Sequence, residues 1–258
     1  MFSFFIFFLG LLIGSFLNVV ICRLGSKEPI LLSRSHCPKC GALLKWPDLI
    51  PLLSFVLARG KCRYCHKKIS LQYPLVELAT GLLFLLIFNQ FSILNLITLF
   101  YYLLITCFLL VIFVYDLKHY LIPDKIIYPA IIITLLNLGL KGPNFWVLKA
   151  QIYNPFLAAF LASGFFLSLV LISKGKWLGL GDVKLAILMG LVLSWPNILL
   201  ALFLAFMSGA MVGLGLIIAG KKSLKSQIPF GPFLAGATIL IMLYGQNIAN
   251  WYQGLLFF

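Results

Sequence analysis

The chain has 258 residues, of which 62% are hydrophobic and 10% charged, and its mean hydropathy is strongly positive. That balance excludes a soluble globular domain. The formal net charge of +14 comes with no basic-aromatic binding face, so it reads as a topology signal and an attraction to anionic lipid headgroups, with no nucleic-acid partner. The expected fold is an all-α polytopic membrane protein.

A spanning helix needs ~20 mostly apolar residues. The first such run, MFSFFIFFLGLLIGSFLNVVIC at 1–22, lacks the basic leading region and small-residue cleavage site of a removable signal peptide, and reads as a retained first transmembrane helix. Residues 23–73 follow as the one soluble-looking module. It holds Cys37-Pro-Lys-Cys40 and Cys62-Arg-Tyr-Cys65, separated by 21 residues. Two CxxC turns at that spacing bring four thiolates onto one ion, and zinc is the natural choice. A site closed by four thiolates has no open position for water, so this metal is structural. Disulfides are the bland alternative, disfavoured if the module faces a reducing cytoplasm. His36 and His66 flank the cysteines as solvent-exposed neighbours, while Cys22 and Cys107 lie in apolar runs and read as small core residues.

Further apolar runs occupy 75–91, 92–115, 126–140, 155–173, 183–195, 197–219 and 232–250. With 1–22 they predict about eight transmembrane helices, seven of them in a multi-helix membrane domain over 74–258. The run at 183–195 is too short to cross at ~1.5 Å per residue and is expected to start inside the membrane near Asp182. This count puts eighteen of the twenty basic residues on one face and only Lys141 and Lys149 on the other. By the positive-inside rule the amino terminus is outside and the cysteine module is cytoplasmic.

Only six residues are acidic, and two of them end long apolar stretches: Asp116 in VIFVYDLKHYLIPD and Asp182 in KWLGLGDVKLAIL. The same topology puts both at the cytoplasmic boundary. A lone aspartate there is usually a helix cap or a partner of a nearby lysine. Two on different helices at one depth point to function. The frame Gly179-Leu180-Gly181-Asp182 allows close backbone approach and an unwound helix start. Carboxylates held close in a poorly solvated site share a proton: one acts as base towards water, the other as acid. Asp124, between Pro123 and Lys125, reads as a cap or site-support residue, together with Gly179, Gly181 and Lys184. The Pro-Phe-Gly-Pro turn at 229–232 either lines this site or shapes the entry to the last helix.

These blocks together resemble the type IV prepilin peptidases, leader peptidase/N-methyltransferases of the GxGD class of membrane aspartyl proteases. The resemblance runs nearly end to end, through GSFLNVVICRL at 14–24, the two CxxC pairs, YPLVE at 73–77, YDLKHYLIPD, GLGDVK and IPFGPFLAG at 228–236. It implies Asp116 and Asp182 as the catalytic pair and Cys37, Cys40, Cys62 and Cys65 as zinc ligands. The implied substrates are type IV prepilins or pseudopilins, cut after a glycine on the cytoplasmic side of the bacterial inner membrane. It also implies N-methylation of the new amino terminus with S-adenosylmethionine, an activity associated with the cysteine module. Gly60 and Glu77 are the residues to watch for that activity, although Gly60 alone is more often a turn residue. Three other readings remain open at this point: a presenilin or signal-peptide-peptidase type of GxGD protease, a transporter or channel using membrane aspartates, and a zinc-tethered scaffold.

Overall fold

The computed structural model describes residues 2–26, 29, 34–91, 95–140, 145–221 and 227–256. The helices are α1 (Phe2–Arg23), α2 (Leu53–Leu57), α3 (Gln72–Phe91), α4 (Leu96–His119), α5 (Asp124–Gly139), α6 (Phe145–Ser173), α7 (Leu180–Leu193), α8 (Asn197–Ile218) and α9 (Gly231–Leu256). Eight of them fall on the predicted apolar runs, and α2 is an addition within the module. Among the described residues there is no strand, only two isolated bridges. Lys27, Lys141, Lys222 and Lys225, used above for orientation, lie outside the described residues. Among the described residues five helices are long and apolar enough to cross a membrane: α1, α3, α4, α6 from Tyr153, and α8. The chain forms two compact units, Met1–Leu103 and Leu104–Phe258.

In the first unit α1 packs along α3. Gly10 and Gly14 stand four residues apart on α1, and a Cβ at either would lie 2.7 Å from an α3 backbone atom, Gly81 Cα or Glu77 Cα. The two backbones therefore touch along a small-residue stripe, a usual way to pack helices where the surrounding lipid removes the hydrophobic drive. A polar seam continues it. Asn18 Nδ2 donates to the Tyr73 carbonyl at 3.0 Å, and Gln72 Nε2 donates to Asn18 Oδ1 at 3.2 Å. Cys22, expected in the core, is exposed with its thiol 3.5 Å from the Tyr73 hydroxyl. The helical phase turns it away from the buried stripe. Cys107 is buried as expected.

In the second unit α7 contacts α5, α6, α8 and α9. Leu185, Ala186, Leu188 and Met189 are wholly buried, and a helix apolar all round belongs inside a bundle. That explains its length. At 14 residues it extends only ~21 Å, short of the ~30 Å hydrocarbon layer, and protein takes the place of lipid around it. Gly190 sets its distance from α6, since a Cβ there would lie 2.3 Å from Ala159 Cα.

Candidate active site and candidate metal centre

Asp116 sits in the last turn of α4 and is only 4% exposed. The carbonyl end of a helix repels a carboxylate, so a partner is needed from elsewhere. It comes from the first residue of α9, whose backbone N–H, that of Gly231, donates to the Asp116 carboxylate. The helix start supplies both a free donor and positive dipole. A side chain at that position would push on the carboxylate, because a Cβ on Gly231 would lie 2.6 Å from Asp116 Oδ2.

Asp182 is the third residue of α7 and half-buried. Its Oδ2 accepts the Gly179 N–H at 3.1 Å, closing the first turn of the helix. The helix thus begins at Leu180, two residues before Asp182 rather than just after it. Asp116 lies within electrostatic reach of Asp182. Ile122 packs against both helix starts: a Cβ on Gly181 would lie 3.1 Å from Ile122 Cβ, and one on Gly231 would lie 3.3 Å from Ile122 Cδ1. The starts of α7 and α9 therefore close on one side chain, which comes from the turn after α4.

Asp124 opens α5 and takes no part in this contact. Its Oδ1 accepts from Lys184 Nζ at 2.6 Å, and that ammonium lies 5.0 Å from the centre of the Tyr128 ring. The pair ties α5 to α7. Reading the sequence left the Pro-Phe-Gly-Pro turn undecided and passed over Ile122. A glycine just before a proline at the start of an apolar run was the available signal for Gly231.

The four cysteines meet in the first unit. Their sulfurs all lie within 4.8 Å of one another, against edges of about 3.8 Å for a tetrahedron with 2.3 Å metal–sulfur bonds. Each pair sits on the same kind of turn, repeated after 25 residues from Cys37 to Cys62. Cys37 N–H bonds the Ala42 carbonyl at 3.0 Å, and Cys62 N–H bonds that of Lys67 at 2.9 Å. Gly41 and His66 occupy the matching left-handed position, at φ 71° and 55°. Burial pushes the Cys37 thiol up, but the Lys39 and Cys40 backbone N–H groups and the sulfurs of Cys40 and Cys62 outweigh it and bring its pKa down to about 7. Thiols this close share protons that a metal would displace. The cluster fits a metal ion, with His36 and His66 outside it. Asp48 braces the second turn, accepting from Tyr64 Oη at 3.1 Å and from Arg63 at 3.2 Å.

Gly60 and Glu77 both have local structural work. Gly60 is left-handed at φ 68°, and a Cβ there would lie 3.2 Å from the Phe55 ring. Glu77 is buried and accepts the Leu52 N–H at 2.9 Å.

Known proteins are similar to this chain in sequence. The bacterial peptidase A24 N-terminal domain matches residues 8–91 and the type IV leader peptidase family matches 103–214. The chain is 32% identical over 248 residues to a prepilin leader peptidase/N-methyltransferase of Bacillus subtilis (strain 168), covering 96% of both chains. It is 33% identical over 277 residues to one of Aeromonas hydrophila, covering 96% of this chain and 92% of the relative. With one of Legionella pneumophila it shares 33% identity over 271 residues, covering 95% and 92%. This chain belongs to the type IV leader peptidase family. It is therefore a membrane-embedded peptidase, and the presenilin-type, transporter and scaffold readings give way. No solved structure matches the chain. Asp116, Asp124 and Asp182 fall within the leader peptidase match and the four cysteines within the N-terminal one, whereas Gly231 lies beyond both.

Proposed function

We propose that this leader peptidase removes the leader from type IV prepilins or pseudopilins at the cytoplasmic face of the bacterial inner membrane, cutting after a glycine, with Asp116 and Asp182 as its catalytic pair. The observation that carries this reading is that two carboxylates from different helices lie within electrostatic reach of each other, each held by a backbone N–H at a helix start. The deprotonated aspartate takes a proton from water, whose oxygen bonds the scissile carbonyl carbon. The protonated one hydrogen-bonds the carbonyl oxygen and then delivers its proton to the departing amine as the C–N bond breaks. Gly231 keeps bulk away from the Asp116 carboxylate and Gly181 leaves room for Ile122 beside Asp182, while the Gly179 N–H holds the Asp182 carboxylate; a glycine in the substrate suits so crowded a site. The Asp124–Lys184 pair supports it by holding α5 to α7.

Zinc bound by Cys37, Cys40, Cys62 and Cys65 would order the cytoplasmic module over 23–73 and leave the peptidase chemistry to the aspartates of the membrane domain. The relatives' names support a second activity, N-methylation of the freed amino terminus with S-adenosylmethionine as donor. Among the described residues no strand leads through a glycine-rich turn into a helix to hold that donor, and Gly60 and Glu77 act on the module through its shape.

The test is cleavage of a purified prepilin in membranes by the unaltered enzyme and by Asp116→Asn and Asp182→Asn, with metal content checked in each. Both variants should keep their metal and lose cleavage by about 10³-fold or more. A metal-loaded variant that still cuts at the normal rate removes its aspartate from the pair.

A further inference from the structure

We propose that α2, together with Trp46, is a membrane-interface anchor that docks the module on an anionic lipid surface. The five residues of α2 turn Leu53, Val56 and Leu57 outward on one face. These three and Trp46 are between 55% and 77% exposed. Phe55 faces the other way, over Gly60. Exposed apolar side chains clustered on so small a module mark a contact surface.

What covers it follows from where α2 begins. Pro51, Leu52 and Leu53 make a tight three-residue turn, in which Leu53 N–H donates to the Pro51 carbonyl at 2.6 Å and Leu52 takes φ 59° and ψ −49°. A leucine adopts this strained conformation only when its surroundings impose it. Here they do, because the Leu52 N–H is the one bonded to buried Glu77 on α3. The start of α2 is therefore pinned to a fixed depth along a spanning helix. With 20 residues, α3 is ~30 Å long and matches the hydrocarbon layer. Glu77 is its sixth residue, about 7.5 Å from the end at ~1.5 Å per residue. Interfacial helices bury their apolar face ~5–10 Å into the headgroup boundary.

Charge selects the lipid. Arg59 and Lys61 follow α2 directly and are exposed. Juxtamembrane cations favour anionic headgroups. The proposal stands apart from the catalytic reading, since it uses no residue of the aspartate pair.

The experiment uses the full-length, metal-loaded protein with the photo-crosslinker p-benzoylphenylalanine at Val56, reconstituted in vesicles of phosphatidylglycerol and phosphatidylcholine. The same probe at Phe5, exposed on spanning α1, is the lipid-facing control, and at Lys67 the water-facing one. After irradiation, mass spectrometry should find lipid adducts at Val56 near the Phe5 yield and about tenfold above Lys67. Arg59→Gln with Lys61→Gln should lower the phosphatidylglycerol share of those adducts about fivefold or more. Lipid adducts at Phe5 without any at Val56 overturn the proposal, as does a Val56 probe that captures a second copy or a substrate helix. An unchanged lipid ratio in the double variant overturns its anionic part. If the Val56 probe costs the protein its metal, the same probe at Leu57 decides.

Discussion

Residues 35–69 and helix α7 both keep polar groups ordered beside apolar helices, and they do so by opposite means. Within 35–69 the buried side chains are Pro51 and the thiol-bearing Cys37 and Cys62. In α7 seven of fourteen residues are buried. The first region has almost no apolar core, so its order rests on four sulfurs, one carboxylate brace and a pinned turn. The second is set by contact with neighbouring helices, and its Asp182 is held by one backbone donor. A metal cross-link would thus suit a short segment that cannot bury surface, and dense packing suits a helix too short to face lipid.

The largest break in that contrast is metal removal. Stripping the ion with a chelator, or making Cys37→Ser, should remove on the order of 10 kcal/mol from the module. Hydrogen exchange should then rise across 35–69 while the amides of α7 stay protected. Equal loss of protection in α7 would mean that the two regions are not independently held. Next is the packing side. Gly190→Ala places a Cβ against Ala159 backbone and should destabilise the second unit by ~3 kcal/mol, lowering its thermal midpoint without loss of metal. A neutral result would show that α6 and α7 are free to separate.

A subtler variant, Gly231→Ala, pushes on the Asp116 carboxylate and leaves Asp182 and the thiols alone. Cleavage turnover should fall between about 10-fold and 100-fold, with substrate KM little changed, because the group is displaced rather than removed. A rise in KM alone would place Gly231 in substrate binding instead. The smallest effect expected is a gain. His66→Gly relieves a left-handed residue where the matching turn already has Gly41, and should stabilise the module by about 1 kcal/mol. Competition with a chelator should then show about fivefold tighter metal retention; weaker retention would mean that the two turns are not equivalent.

Legibility differed by the range over which each signal acts. The four cysteines were readable because a CxxC turn fixes two ligands through local backbone geometry. The apolar runs were readable because spanning length is a property of consecutive residues. Asp116 and Asp182 stood out through the cost of a carboxylate in an apolar frame. Gly231 and Ile122 carry no such local mark, since their importance lies in what approaches them. Cys22 was misread for a related reason: composition says that a run is apolar, but only helix phase against a neighbour says which residues face inward. The short turn of α2 was missed because five residues show no helical period.

By itself the sequence determined the membrane class, the helical runs, the thiol cluster and the aspartates, all of which follow from spacing along the chain or from the solvation of single residues. Tertiary structure alone decided that the Gly231 N–H would meet Asp116, that Ile122 would pack against two helix starts, that Asp124 would pair with Lys184, and that Glu77 would hold the Leu52 turn. Each is a contact between distant segments, and its energy depends on distances of a few ångströms that sequence spacing does not specify.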